Sequence, residues 1–367
     1  MSDGPRTISR RGLLAGGAAM ALAGCVTEGP QATPGPDLRH QPGILTAPPT
    51  TAVFAAFDIR VPGREALAGV LRQISVQVAA APSEILVSVG ASLFDDRYGL
   101  AARRPAALTT MPSFPNDVLD SAWCHGDLLV QVCAPDATTA QSSLSSIERT
   151  TGAALVPRWR MPAFRPENTM SATGRPTTRN LFGFEEGISN PDVHDAATMA
   201  QLVWVAQDDS EPHWTAGGSY QVIRLVRFAT QLWDREPLST QESVFGRRRS
   251  DGAPLGRGTE TEDFTYADDP TGQLVALDAH IRRANPRTPE TAGSRILRRG
   301  YSYRTGTDAG LVFVCFQRDL GKGFETVQGR LTGEALDKYI LSFGGGYFFA
   351  LPGVAPGQYL GADLLAA

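Results

Sequence analysis

Cysteine and histidine are scarce in this chain, four and five among 367 residues, and their spacing excludes the sites usually built from them. There is no CxxC pair, no HExxH and no pair of ligands at i and i+4, so neither a zinc site nor a disulfide framework is encoded. Cys25 falls in a leader, leaving Cys124, Cys133 and Cys315, an odd and widely separated set. Cys133 in "LLVQVCA" and Cys315 in "LVFVCFQ" sit in strand-like runs, as small core residues do. Positive charge is not in excess: the net charge of -4 argues against a nucleic-acid binder, which needs a basic face to neutralise phosphates. Arg247-Arg248-Arg249 reads as a solvated turn. No apolar run approaches the roughly 20 residues of a membrane-spanning helix. No GxSxG elbow marks a serine nucleophile, and nothing suggests a carboxylate partner for Asp95-Asp96. Gly344 to Gly346 lack the Lys-Ser/Thr ending of a phosphate loop and read as a turn entering a buried strand, "YFFALPG".

The composition, 42% hydrophobic and 20% charged, is that of a soluble globular protein, long enough for one large domain or two modest ones. At the N-terminus, "SRRGLLAGGAAMALAGC" places twin arginines, Arg10 and Arg11, before a short apolar run. Residues 1–25 therefore read as a twin-arginine export signal, the route that carries proteins already folded. The tail "LAGC" resembles a lipoprotein cleavage box, which would make Cys25 a lipidated membrane tether; a simple cleavage site with Cys25 unmodified is the other reading. Residues 26–50, rich in Pro and Gly, read as a linker.

From Thr51 the pattern alternates. "TAVFAAFDIR" predicts a strand, "GREALAGVLRQISVQVAAA" a helix with Leu67, Val70, Leu71 and Ile74 on one face, then "SEILVSVGASLF" and "GDLLVQVCAPD" two strands. "ATTAQSSLSSIERTTG" predicts a helix closed by Gly152. This β-α-β-β-α order indicates an α+β, ferredoxin-like unit over residues 51–170. Residues 171–367 repeat the theme. "GGSYQVIRLVRFATQLWD" predicts a strand whose helix continues to "STQESVFGRR"; "AGLVFVCFQRD" predicts another strand and "GEALDKYILSF" another helix. "GDLLVQVCAPD" and "AGLVFVCFQRD" resemble one another, so two duplicated ferredoxin-like halves are predicted.

Between the halves lies "NLFGFEEGISNP", with Glu185 and Glu186 between Gly183 and Gly187. A metal held by one histidine must take most of its other ligands from a cofactor, and haem is the common case. Among the histidines, His280 in "LDAHIRRANPR" stands out, because Arg282, Arg283 and Arg287 follow it as candidate partners for haem propionates. Solvated arginines are the alternative there. "RILRRGYSY" adds Arg298 and Arg299 beside a glycine.

Taken in order, "GFEEGISNP", "HIRRANPR", "ILRRGYSY" and "GLVFVCFQRD", with "HQPGILTAPPTTAVFAAFDI" and "SLFDDRYGLAARRPAAL" before them, resemble the dye-decolourising peroxidases. The resemblance runs from about Arg39 to the C-terminus, and the leader points to the exported, deferrochelatase-like subgroup. It implies two ferredoxin-like halves enclosing a haem pocket, with one haem b per chain and His280 as the axial iron ligand. Arg298 aligns with the distal arginine, and Leu311 and Phe313 with the apolar wall of the distal pocket. Asp337 is implied as partner of the His280 Nδ1 proton and Arg227 as a propionate contact. The implied partners are hydrogen peroxide and a dye-like, phenolic or other organic donor, oxidised through a ferryl intermediate; a homo-oligomer stays open. Donors too large to enter would need a surface Tyr or Trp such as Tyr301, Tyr303 or Trp204. A haem-binding, iron-releasing protein of iron acquisition is the competing reading.

The family's distal motif is Gly-x-x-Asp-Gly, and here Glu186 occupies the aspartate position, with Glu185 a variable neighbour. A distal carboxylate can take a proton from bound peroxide and return it to the departing oxygen, and a nearby arginine keeps it ionised. The extra methylene moves the acid by about 1.5 Å, and an error of about 1 Å can cost roughly a hundredfold in rate. A flexible glutamate can fold back, so activity is expected to survive with altered rate and pH dependence.

Overall fold

The computed structural model describes residues 39–366 apart from 167 and 356. The predicted leader, and the linker as far as residue 38, lie outside the described residues. Strand β1 (Thr51–Ile59) sends Val53, Ala55 and Phe57 to one face and Ala52, Phe54 and Ala56 to the other, and buries both. Helix α1 (Gly63–Ala80) lays Leu67, Val70, Leu71 and Ile74 against the first of these faces. After β2 (Glu84–Gly90) and β3 (Leu128–Ala134) comes α2 (Ala137–Thr151). Its N-terminus is capped by Asp136, which accepts from Thr139 N at 2.8 Å, and it ends at Gly152 with φ +53°. Strand β4 (Leu155–Phe164) completes a β-α-β-β-α-β unit whose strands lie in the order β2-β3-β1-β4, all antiparallel.

A two-stranded ribbon, β5 (Thr169–Met170) and β6 (Pro176–Thr177), and helix α3 (Ala196–Leu202) lead to β7 (Ser219–Phe228). Helices α4 (Thr230–Trp233), α5 (Leu238–Phe245) and α6 (His280–Ala284) follow. Then come β8 (Leu297–Arg298), β9 (Tyr301–Thr305), β10 (Asp308–Gln317), α7 (Thr326–Leu331), β11 (Ile340–Ala350) and α8 (Ala362–Leu365). Their order, β9-β10-β7-β11, repeats the first unit, with β10 standing where β3 stands. The two sequence segments that resemble each other are therefore the third strands of two ferredoxin-like halves.

The halves meet along both sheet edges. β11 pairs with β2, β4 pairs with β9, and the β7–β10 pairing closes an eight-stranded ring. Alternation then sorts every strand of the second half. Ile223, Leu225, Val312 and Val314 point into the ring, where Phe54, Trp159, Tyr301 and Phe348 fill the centre. Arg224, Val226, Phe228, Leu311 and Phe313 lie on the outer face, under the irregular segments and short helices of the second half.

Three local expectations change. The helix predicted over "GEALDKYILSF" is only a 3-10 turn at Ala335–Lys338; Ile340 onward pairs with Phe228 and its neighbours, so sheet contacts override helical spacing. The helix after β7 breaks at Pro237, leaving α4 and α5. Gly344 to Gly346 lie within β11 rather than in a turn. A Cβ on Gly344 would stand 2.6 Å from Trp123 O, and one on Gly346 3.2 Å from His125 Cα, so these glycines let residues 123–125 lie against the strand. Among the described residues, Cys124, Cys133 and Cys315 are free and buried, and no helix is long and apolar enough to cross a membrane.

Candidate active site

A cavity of about 260 Å³ opens on the outer face of β7 and β10, and His280, Glu186 and Arg298 all line it. Leu311 and Phe313 supply apolar wall, as expected. Three segments distant in sequence meet there: the loop 180–190, the start of α6, and β8.

The loop is held in shape by Asn180. Its Oδ1 accepts from Phe182 N at 3.0 Å and Phe184 N at 3.2 Å, while its Nδ2 donates to Glu186 Oε1 at 2.8 Å. Gly183 and Gly187 take φ of +86° and +76°, a region where a Cβ is costly. Phe182 stacks on Phe228 and Phe184 on Phe245, each with ring centroids 4.0 Å apart, which anchors the loop to the core.

The two adjacent acids do different things. The Glu185 side chain is 2% exposed, 2.9 Å from Arg179 Nη2 and 3.6 Å from Arg175 Nη2. Arg179 in turn donates to the carbonyls of Gly183 and Ser250, each at 2.9 Å, tying two turns together. Burial raises the Glu185 carboxyl above its ordinary value; Arg179 opposes the shift, and Glu260 adds to it. Glu186 forms no ion pair among the described residues and is left for the cavity.

Arg298 is fixed by Asn190, whose Oδ1 accepts from its N and its Nε, both at 3.2 Å, and whose Nδ2 donates to its carbonyl at 2.7 Å. Burial lowers the pKa of this guanidinium, and the Glu186 charge opposes that. His280 opens α6, and its Nδ1 lies 2.6 Å from Glu334 Oε2, whose side chain is 3% exposed. Burial alone would lower the imidazole pKa; the Glu334 carboxylate outweighs it and holds the value above the ordinary one. Among the described residues His280 Nε2 has no hydrogen-bond partner.

Two expected contacts are corrected. The Nδ1 partner is Glu334, not Asp337. Ala335 N donates to Asp278 O at 3.1 Å, which brings Glu334 beside α6, whereas the 3-10 turn carries Asp337 back to accept from Gly333 N at 2.9 Å. Arg227 pairs with Asp308 at 2.7 Å, with both side chains over 40% exposed, and does not line the cavity. Being three residues from Arg224 on an alternating strand, it takes the opposite face. Arg224 is the cavity residue: it is 4% exposed, paired with buried Asp117 and 5.0 Å above the Phe114 ring. Nor are the candidate aromatics on the surface, since Tyr301 and Tyr303 are 1% and Trp204 7% exposed.

The lining also carries two further arginines, Arg247 and Arg295, that sequence reasoning missed. Arg247 is 6% exposed and donates to Gly252 O at 2.7 Å and Ser189 Oγ at 3.1 Å; burial, with Arg287 nearby, pushes it down to about 10. Burial likewise lowers Arg295, helped by Arg287 and Arg298. Neither forms an ion pair among the described residues, nor does Arg298. Guanidiniums without a carboxylate partner, one buried at Arg247 and two half-buried at Arg295 and Arg298, are costly without an anion to meet them.

Two family models match the chain: Dyp-type peroxidase, N-terminal, over residues 41–165, and Dyp-type peroxidase, C-terminal, over 177–355. The chain belongs to the Dyp-type peroxidase family. It is thus an oxidoreductase, and the curated relatives match end to end. A deferrochelatase of Escherichia coli O6:K15:H31 is 43% identical over 99% of this chain and 98% of that one. One from Shigella sonnei is 42% identical with the same coverage. Ferric DtpA from Streptomyces lividans superposes with a TM-score of 0.81 at 36% identity, covering 89% of this chain and 95% of its own. A DyP-type peroxidase from Cellulomonas bogoriensis gives 0.82 at 31% identity, covering 90% and 97%.

The cavity of this Dyp-type peroxidase fits a haem. No group of three or more His, Cys, Asp or Glu able to hold a bare metal ion occurs among the described residues. One imidazole with a free Nε2, apolar walls and unpaired guanidiniums are instead what a flat, dianionic metal chelate requires.

Proposed function

We propose that this chain is a haem b peroxidase, one haem per chain, with His280 as axial ligand, that reduces hydrogen peroxide and oxidises dye-like, phenolic or other organic donors. The observation that carries the reading is one cavity shared by a carboxylate-backed imidazole, a carboxylate without a salt bridge and a half-buried arginine. When bound, the haem supplies an iron that binds peroxide and stores the oxidising equivalents later passed to donors.

The protein's own residues handle protons and charge. Glu186 Oε1, held by Asn180 Nδ2 at 2.8 Å, would hold the proton that peroxide gives up and hand it back as the O–O bond breaks. The Arg298 guanidinium would offset negative charge on the separating oxygens. Glu334 fixes the imidazole tautomer and makes Nε2 a stronger donor to the metal. Arg247 and Arg295, which line the cavity, would hold the two propionates. Leu311 and Phe313 keep water from the acid. Glu186 performs the task of the family's aspartate because Asn180 binds its carboxylate directly and so fixes the longer side chain.

Mixing haem-loaded protein with one equivalent of peroxide in a stopped-flow spectrophotometer tests this. A rapid absorption change, lost in Glu186→Gln, supports it; a spectrum that stays unchanged with excess peroxide refutes it.

The full-length match to proteins named deferrochelatase favours a second reading, in which iron leaves the bound haem and the porphyrin remains. Porphyrin fluorescence appearing without peroxide, and persisting in Glu186→Gln, would select it. We further read residues 1–25 as a twin-arginine leader, ending either at a lipoprotein box on Cys25 or at a simple cleavage site, and 51–170 and 171–367 as the two halves.

A further inference from the structure

A second, smaller cavity lies away from the first, lined by Ala91, Ser92, Thr109, Thr110, His125, Gly126, Arg158 and Tyr347, with about 170 Å³ of space. Its lining holds one imidazole, one guanidinium and several hydroxyls, and no carboxylate.

The backbone beneath it is unusual. His125 adopts φ +60°, an uncommon conformation for a residue with a side chain. It is clamped there from both sides: its N donates to Gly345 O at 2.8 Å, and Trp159 Nε1 donates to its carbonyl at 2.8 Å. The Gly344–Gly346 run makes the clamp possible, because a Cβ on Gly346 would press on His125 Cα. Strain that the surroundings impose so firmly commonly serves a site.

Ser92 Oγ donates to Asp127 Oδ1 at 2.6 Å and Tyr347 OH to Glu325 Oε1 at 3.2 Å, so the side-chain N–H donors left over are on His125 and Arg158. The partly buried His125 ring makes no hydrogen bond among the described residues. Arg158 gives its Nε to Cys124 O at 2.8 Å and its Nη1 to Asp58 at 3.1 Å, which leaves Nη2 unengaged among the described residues. That ion pair is about a third and a fifth exposed, so water weakens it. Burial, and then the Arg158 charge, lower the His125 pKa.

We propose that this cavity, built on His125 and Arg158, binds a small free oxyanion of the inorganic phosphate or sulfate class. The guanidinium Nη2 and an imidazole N–H would donate to its oxygens, and the Thr109 and Thr110 hydroxyls would close the rim. The small volume favours a free ion over a bulky phosphoester.

The test is calorimetric titration of the haem-loaded protein with inorganic phosphate, in a buffer free of other oxyanions. In parallel, the five histidine ring signals are followed by NMR, with His125 assigned by its variant. Saturable binding of one phosphate is expected, weakened about tenfold or more in His125→Asn, which loses a charge-assisted hydrogen bond while asparagine tolerates the positive φ. In the unsubstituted protein the His125 signal should move with phosphate and saturate with it. Equal affinity in both proteins, no saturable binding, or a stationary His125 signal would each overturn the proposal.

Discussion

Glu186→Gln is the most direct probe of the proposed chemistry, because the structure separates the acid's charge from its scaffolding. Glutamine keeps the length and an amide oxygen that can still accept from Asn180 Nδ2, the bond that stands at 2.8 Å to Glu186 Oε1. The loop is otherwise held by the Asn180 Oδ1 bonds, the two positive-φ glycines and the stacked Phe182 and Phe184. None of these involves the Glu186 carboxylate, so folding and haem loading should be unchanged. What is lost is the proton acceptor, and with it the charge that opposes the burial-driven lowering of the Arg298 pKa. Positioned acid–base groups contribute about a hundredfold to ten-thousandfold, so the second-order rate constant with peroxide should fall by that factor, about 3–5 kcal/mol of barrier. Stopped-flow absorption at several peroxide concentrations gives the constant, and haem content per chain gives the control. A variant with full haem content that reacts within about threefold of the parent would refute the assignment of Glu186.

His280→Ala should abolish or severely weaken haem retention, read from the absorbance ratio of the purified protein. Glu334→Gln should leave haem bound but raise its reduction potential, since a less basic imidazole stabilises the oxidised metal less; spectroelectrochemistry measures this. Glu185→Ala leaves Arg179 without a carboxylate partner, while Arg175 keeps Glu260 at 3.3 Å, and should cost about 1–2 kcal/mol in denaturant unfolding because Arg179 is about a third exposed. Asp127 supplies a pH test: burial disfavours its charge, but Arg97, Ser92 and the Ile59 amide overcome this and depress its carboxyl below 3.8. A depressed folded value stabilises the protein above the unfolded pKa and loses that stabilisation as the pH falls through the folded one. The advantage of the parent over Asp127→Asn should therefore be full at neutral pH and shrink below about pH 3.8, as seen in urea titrations.

Much of the fold was legible because burial on both faces writes continuous apolar runs, and "GDLLVQVCAPD" and "AGLVFVCFQRD" share that vocabulary as equivalent third strands. The site was legible where a motif fixes position, as with Glu186, Arg298 and His280 meeting at one cavity. It failed where one residue had to be chosen over a near neighbour of the same type. "LTGEALDKYI" offers Glu334 and Asp337, and only the 3-10 turn decides which reaches His280. "VIRLVRF" offers Arg224 and Arg227, which strand parity separates, although parity becomes useful only once the buried face is known. Arg247 and Arg295 carry no local signature, since their burial comes from segments far away in sequence. "GEALDKYILSF" has helical spacing, yet pairing with β7 claims its second half.

The ring of strands is sealed by two very unequal seams. β11 and β2 share three paired positions, Phe348 to Ala350 against Gly90 to Ser88, whereas β4 and β9 share one, Phe164 with Ser302. Against the long ladders inside each half, both junctions are short zips, and the second is the shorter. Amide protons beside Phe164 and Ser302 should thus exchange before those of β1 or β7, marking the line along which the molecule first breathes. His280, Glu186, Arg298 and Glu334 all lie on the same side of that line.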